Sequence, residues 1–400
     1  MPSPSLLTVA AADHIPVHIP DATLFVIALA ALTGCIIWLG IAAWRHRRNL
    51  RAVPVRIHVA GTRGKSTTTR LIAAGLRAGG LRVAAKITGT APRLIGPDGS
   101  EAPWRRRGPA AVREQMRFLA QAARLGADAV VIECMAIRPE LVAASENYLI
   151  RATTAVITNT RPDHLEDIGE HAGAAAEAVR WAVPVNGRLF VADEAVTPAL
   201  RSFAEQRGTD ITVVDTAGLG ALAADRALAL AVCAAHGVPA ATAGPAMDAA
   251  AADPGSFFAR NLAINGKTVR FVNAFACNDV ASLALLWPTV ENACTPVVLL
   301  NARRDRPLRT RRFLEFLAAQ EPLPLLFVVG DPLAALLAHR AGFRRATVRR
   351  LRGRTSAAAL AELAAHAQPG GVIWGVGNYR GYGSRLVAQV IGAEATGLTC

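Results

Sequence analysis

The residues richest in chemistry form one short run, Gly61-Thr62-Arg63-Gly64-Lys65-Ser66, followed by Thr67. Two glycines let the backbone turn tightly enough to aim successive N–H groups inward. A lysine adds a mobile cation, and the hydroxyl beside it can ligate a divalent ion. This is equipment for gripping a polyphosphate, with ATP as the natural occupant and Mg²⁺ as its ion. Val55 to Ala60 reads as a strand entering the loop, and about Thr67 to Ala78 as a helix whose N-terminus points at the same anion. One position departs from the G-x-x-x-x-G-K-[ST] pattern: Val59 stands where the first glycine belongs. Lysine is scarce, since Lys65, Lys86 and Lys267 are the only ones and all other members of the 44 basic residues are arginines. A lysine in the loop therefore stands out.

Two further apolar runs end in polar residues that could converge on that phosphate. Ala129-Val130-Val131-Ile132 ends in Glu133, and Ala155-Val156-Ile157-Thr158 ends in Asn159, with Asp163-His164 just beyond. Ligands of parallel α/β sheets sit at the carboxyl ends of strands, so Glu133, Asn159 and His164 are candidates for metal and phosphate contact.

These motifs carry a family resemblance. Gly-Thr-Arg-Gly-Lys-Ser at 61–66, Glu-Cys-Met-Ala-Ile-Arg-Pro-Glu-Leu at 133–141 and Arg-Pro-Asp-His-Leu-Glu-Asp-Ile-Gly at 161–169 are joined by Asn-Ala-Phe-Ala-Cys-Asn-Asp at 273–279 and Asn-Ala-Arg-Arg-Asp-Arg-Pro-Leu-Arg-Thr at 301–310. Together they resemble the poly-γ-glutamate synthase PgsB/CapB group of the Mur ligase superfamily, over about residues 20–385. That superfamily also uses the short glycine loop, which accounts for Val59. The resemblance implies an α/β fold: an N-terminal transmembrane helix, a P-loop Mur-ligase-like central domain and a smaller Rossmann-like C-terminal α/β domain. It implies an ATP-dependent amide ligase that adds glutamate to a growing poly-γ-glutamate chain through an acyl phosphate, with ATP and Mg²⁺ as cofactors. By the same resemblance Gly61, Thr62, Arg63, Gly64, Lys65, Ser66 and Thr67 hold the nucleotide, as do Asn159, Asn278, Asp279, Asn301, Arg303 and Asp305. Ser66, Glu133 and His164 take the metal, and Lys65, Glu133, His164 and Arg303 form the catalytic set. In Asn278-Asp279, an aspartate replaces the proline of the better-known ligases. Many Mur ligases carry a carbamylated lysine beyond the Asp-His pair, whereas here the neighbourhood is Ala178-Val179-Arg180, so a second magnesium site on such a lysine is not expected. The implied partners are glutamate, poly-γ-glutamate and small membrane subunits of the CapC/PgsC and CapA/PgsA types. Oligomeric state is left open, with a ring or dimer among the options.

The elements that must position these residues follow from hydropathy and turns. Ala22 to Trp44 holds no charge and is apolar on all sides, long enough for a bilayer's roughly 30 Å core. Arg45, Arg47, Arg48 and Arg51 follow it, which suits a membrane anchor better than a signal peptide and places the N-terminus outside with everything after Arg45 cytoplasmic. The expected division is an extracytoplasmic tail 1–20, a transmembrane helix 21–44, an ATP-binding central domain 45–267 and a C-terminal ligase domain 268–400. Asn265-Gly266 between apolar runs signals a hairpin, and residues 297–374 alternate strand and helix as a second parallel sheet would. Gly375-Val376-Gly377-Asn378 is a glycine turn at a strand end, either functional or merely tight.

A 400-residue chain with 52% hydrophobic and 18% charged residues folds, and is too long for one ordinary core. Six scattered cysteines with no C-x-x-C pair fit neither a zinc site nor a disulfide framework, as expected in a reducing compartment. The formal net charge of +14 invites polyanions. No nucleic-acid motif or aromatic interleaving accompanies it, so the charge is read as serving nucleotide phosphates, an acidic substrate and the inner leaflet. Two other functions share the loop: a P-loop ATPase energising a membrane export complex, and another Mur or folylpolyglutamate-type ligase. Dependence of ATP turnover on glutamate separates the first, and the anchor with no separate precursor-binding domain argues against the second.

Overall fold

The computed structural model describes residues 21–89, 92–106, 108–161, 168–169, 171, 173–250, 257–275, 277, 279–290, 294–344, 347–353 and 355–395. The described residues up to Asn49 form one unit and those from Leu50 onward another. In the first, helix α1 (Asp21–Ala52) is a single 32-residue helix. It continues through the basic residues rather than stopping at 44, giving a rod of about 48 Å. Its apolar side chains, among them Phe25, Ile36, Ile37 and Trp38, are exposed.

The second unit is built on two sheets. The larger contains β1 (Val55–Ala60), β2 (Val83–Ile87), β3 (Arg93–Ile95), β4 (Glu101–Pro103), β5 (Ala129–Glu133), β6 (Thr154–Ile157), β7 (Arg188–Ala192) and β8 (Asp210–Val214), in the order β4-β3-β2-β5-β1-β6-β7-β8. From β2 to β8 neighbours run parallel, and β3 and β4 add an antiparallel edge. The central strands are largely apolar because helices cover both faces, although β1 carries Arg56 and His58 and β2 carries Lys86. β5, Ala-Val-Val-Ile-Glu, is buried along its whole length.

Helix α2 (Lys65–Ala78) leaves the loop after β1 and packs on the helices Ala221–Ala235 and Ala240–Asp248. Ile72, Leu76, Leu228, Val232 and Met247 share its core. Contact is close at Gly75, where an added Cβ would lie 2.7 Å from Cys233 Sγ. α2 begins Lys-Ser-Thr-Thr-Thr, and β-branched residues favour strands over helices, so packing rather than propensity holds its first turns. On the opposite face helix α3 (Glu114–Arg124) sets Phe118 and Leu119 against Val130 and Ile132.

The second sheet contains β9 (Phe258–Ile264), β10 (Lys267–Asn273), β11 (Val297–Asn301), β12 (Leu325–Val329), β13 (Val348–Arg350) and β14 (Val372–Gly377), in the order β13-β12-β11-β14-β10-β9. Asn265 and Gly266 have φ of 51° and 73° and close the hairpin of β9 and β10, the sheet's one antiparallel pairing among the described residues. The strands of the alternating stretch, β11 to β14, pair in parallel, and the hairpin adds the antiparallel edge that makes the sheet mixed. The hairpin lies wholly in this sheet, so the change of sheet falls upstream of Phe258, whereas the expected division ran between its strands. Phe313, Leu317 and Trp374 fill one face, and Phe271, Leu363 and Val387 the other.

Candidate active site

Strand order creates the site. From β1 the chain crosses to β2, returns through β5 to lie against β1, and then continues on β1's other side with β6. A crevice opens at the carboxyl ends where the direction of winding reverses. The loop after β1, Glu133 at the end of β5 and Asn159 beyond β6 all meet there.

The loop's glycines are required by geometry. Gly61 has φ 122° and an added Cβ would lie 2.1 Å from Thr158 Oγ1. Gly64 has φ 80° and a Cβ there would lie 2.1 Å from Asp225 Oδ1. Asn159 braces the loop from behind. Its Oδ1 accepts from Thr62 Oγ1 at 2.6 Å and from the Arg63 N–H at 3.1 Å, while its Nδ2 donates to the Arg63 carbonyl at 3.1 Å. Lys65 Nζ folds over the loop and donates to the carbonyls of Gly61 at 2.7 Å and Thr62 at 3.1 Å. Thr67 lines the same cleft from the first turn of α2.

Ser66 Oγ donates to Glu133 Oε1 at 3.0 Å. The other carboxylate oxygen accepts the Thr88 N–H at 2.6 Å and the Gly89 N–H at 3.2 Å, which pins Glu133 in place. Gly89 must lack a side chain, since a Cβ there would lie 2.8 Å from Ser66 Oγ. A hydroxyl and a carboxylate are hard oxygen donors that suit Mg²⁺, which keeps waters and completes its shell with phosphate oxygens. Among the described residues no group of three or more His, Cys, Asp or Glu that could hold a metal ion gathers. His164, expected as the third ligand, lies outside the described residues. Ala175, Ala178 and Val179 form an apolar part of the cleft wall.

The cleft, 540 Å³ in volume, has a second rim supplied by the second sheet through Arg303, Arg306, Arg309, Asn378, Tyr379 and Arg380. Among the described lining residues seven are basic, counting Arg63, Lys65 and Arg106, and Glu133 alone is acidic. Arg303 Nε donates to Asp305 Oδ1 at 2.8 Å, and that hydrogen bond holds Asp305 below the usual carboxylate range. Asn301 sits behind the rim. Its Nδ2 donates to the carbonyls of Asn378 and, at 3.1 Å, Arg380, and its own carbonyl accepts Asn378 Nδ2 at 2.9 Å. Asp279 caps the helix Val280–Leu286 by accepting the Ser282 N–H at 2.7 Å, and it accepts Arg63 Nε at 2.8 Å. Arg63 thereby ties the loop to the second sheet. Asn278 lies outside the described residues.

The structure thus gathers Gly61 to Thr67, Glu133 and Arg303 around one cleft, and sets Asn159, Asp279, Asn301 and Asp305 beside or behind it. Sequence reading passed over Thr88, Gly89, Arg106 and Arg380, which no motif marked, and over Arg306 and Arg309, which fall within the 301–310 motif at the cap and in the first turn of the helix Pro307–Ala318. For Asn378 the Gly-Val-Gly-Asn turn was the available signal. It also passed over Asp225, a carboxylate packed against Gly64 whose pKa burial raises to about 7, against the opposing hydrogen bond from Thr68.

Comparison with known proteins agrees with this architecture. The Mur ligase middle domain family matches residues 59–223, and the poly-gamma-glutamate synthase CapB C-terminal domain family matches residues 260–392. The chain is 30% identical over 367 residues to the PGA synthase CapB of Bacillus subtilis (strain 168), an alignment covering 86% of this chain and 92% of that one. It is 29% identical over 368 residues to the capsule biosynthesis protein CapB of Bacillus anthracis, covering 86% and 78%. Its fold is similar to that of E. coli FolC in complex with DHPP and ADP, with a TM-score of 0.63 at 17% identity over 89% of this chain and 92% of that one.

Proposed function

The chain belongs to the CapB family of poly-γ-glutamate synthases, ATP-dependent ligases with the Mur ligase fold, and we propose that it lengthens poly-γ-glutamate by one glutamate per ATP. The observation that carries this reading is the Ser66–Glu133 pair, 3.0 Å apart at the N-terminus of α2, facing the arginine rim across one cleft.

In the reaction a carboxylate oxygen attacks the γ-phosphorus of ATP and the bond to ADP breaks. The amine of the next unit then attacks the acyl carbon, the C–O bond to phosphate breaks, and the nitrogen loses a proton. The N–H groups of the loop and of the first turn of α2 hold the phosphates, and Lys65 exchanges the Gly61 and Thr62 carbonyls for β/γ oxygens. Ser66 and Glu133 would hold Mg²⁺, which when bound spreads the charge of the transferring phosphoryl group. Arg303 adds charge from the opposite rim. His164 is assigned to the same metal on the strength of the family motif.

The same proposal includes the anchor. α1 exposes apolar side chains along a stretch longer than a bilayer core and ends in Arg45, Arg47, Arg48 and Arg51, which supports a single span with the catalytic domains on the cytoplasmic side. Small membrane subunits of the CapC/PgsC and CapA/PgsA types are the proposed partners. The test uses membranes carrying the full chain and those subunits, supplied with labelled glutamate and ATP. Lys65→Ala abolishes ATP-dependent incorporation into polymer; wild-type incorporation in that variant, or ATP turnover indifferent to glutamate, overturns the reading.

A further inference from the structure

We infer that Arg106 binds a carboxylate of the acidic substrate, and that Lys86, Glu114 and Trp104 are positioning residues that hold its guanidinium for that purpose. This deepens the ligase reading and rests on it.

Arg106 lies between β4 and α3 and lines the cleft together with Thr88, Gly89 and Glu133. Its Nε donates to Glu114 Oε1 at 2.9 Å. The other oxygen of Glu114 accepts Trp104 Nε1 at 3.1 Å and pairs with Lys86 Nζ at 3.2 Å. Held by its Nε edge, the guanidinium keeps two terminal nitrogens that meet no acceptor among the described residues, and a two-nitrogen fork is the geometry that grips a carboxylate.

The support behind Arg106 is costly, which argues for a purpose beyond packing. Lys86 is fully buried in β2 and Glu114 is 8% exposed. Taking such ions out of water is costly, and hydrophobic residues of similar volume would often serve stability as well. Lys86 also donates to Gln115 Oε1 at 3.1 Å and stands 5.4 Å from the Trp104 ring centroid, so it is fixed from several sides. Two cations share Glu114 here, and Glu133 is the other acid on this side of the cleft.

The place in the sheet says which anion. The phosphate loop follows β1, Glu133 ends β5, and the Thr88–Gly89 turn beside Arg106 follows β2. At the usual strand spacing β2 lies about 10 Å from β1. A group held by Arg106 is therefore past the metal pair as seen from the loop. The phosphates already have the loop N–H groups, Lys65 and the metal pair. A substrate that offers one carboxylate to the γ-phosphoryl group and carries a second nearby would leave that second one for Arg106. The residue thus selects a diacid unit over a neutral one.

The test measures glutamate incorporation in membranes carrying the full chain, for the wild type, Arg106→Gln and Arg106→Lys. Arg106→Gln raises the KM for glutamate or the acidic acceptor by roughly 10- to 100-fold, as expected for a lost charged hydrogen bond, and leaves the KM for ATP within about threefold. Arg106→Lys, which keeps the charge but loses the fork, falls between. Glu114→Gln shifts the same KM in the same direction with ATP again unaffected, which a purely structural pair would not do. An unchanged carboxylate KM, or an ATP KM that rises in step in Arg106→Lys, overturns the proposal. Wild-type membranes that form no polymer sink the ligase reading instead.

Discussion

The two rims of the cleft are built on opposite plans. On the first sheet the chemistry is fixed by backbone: Glu133 is 3% exposed, two N–H groups and Ser66 pin its carboxylate, and Gly61, Gly64 and Gly89 exist because a neighbour occupies the space of their side chains. On the second sheet the groups are long arginines beyond the strand ends, with Arg303 33% exposed and paired to the more exposed Asp305. A fixed rim pays for phosphate alignment during folding and so adds no ordering cost at the moment of reaction. An exposed rim offers charge that can follow a changing ligand, at the cost of screening and of side-chain entropy. The contrast suits a ligase in which ATP must be held in one pose while the acceptor grows.

Three substitutions tell the two rims apart. The largest effect belongs to Glu133→Gln, which keeps the shape but removes the charge that faces Ser66. ATP-dependent incorporation falls by about 10²–10³-fold with little change in Tm, by analogy with loss of one preorganised electrostatic group. Arg303→Ala comes next. The loss is about tenfold and shrinks as salt is raised, because the pair with Asp305 is exposed and screened. Equal losses in the two variants would erase the distinction between the rims.

The smallest effect tests how tightly the fixed rim is packed. Asp225 is buried against Gly64 with its pKa raised to about 7, above the ordinary aspartate value. A carboxyl shifted upward stabilises the fold only while protonated, so its contribution is complete below about pH 4 and is lost as the pH rises through about 7. The Tm advantage of Asp225→Asn over the parent therefore grows from pH 5 to pH 8 and then levels off. A constant difference across that range means Asp225 does not titrate where its burial puts it.

Local pattern was enough to read β1, the phosphate loop and α2, because each depends on neighbours in sequence: a strand's apolar run, a glycine's φ, a helix start. Glu133 was legible for the same reason, as the one acid closing an apolar strand. The alternation of residues 297–374 resolved into β11 to β14 and their helices. The antiparallel edge of β3 and β4 was missed, being two three-residue strands without an apolar run. Asn159 and Asn301 were found at the right strand ends, yet both turn inward to hydrogen-bond a loop, a choice made by contacts 96 and 77 residues away.

The +14 charge announced a polyanion but not its location. Local pattern alone was enough to see that a glycine-lysine-serine loop leads into a helix, that an acid closes the neighbouring strand, and that an apolar helix precedes both. Only the tertiary structure decided that Arg63 reaches Asp279, that Arg106 is held by a buried Lys86–Glu114 pair, and that arginines from residue 303 onward share a cleft with Lys65. The physical reason is one of range. Turns and periodicity are set by residues a few positions apart, whereas these meetings depend on strand order, which brings together side chains as distant as Lys65 and Arg380, 315 positions apart.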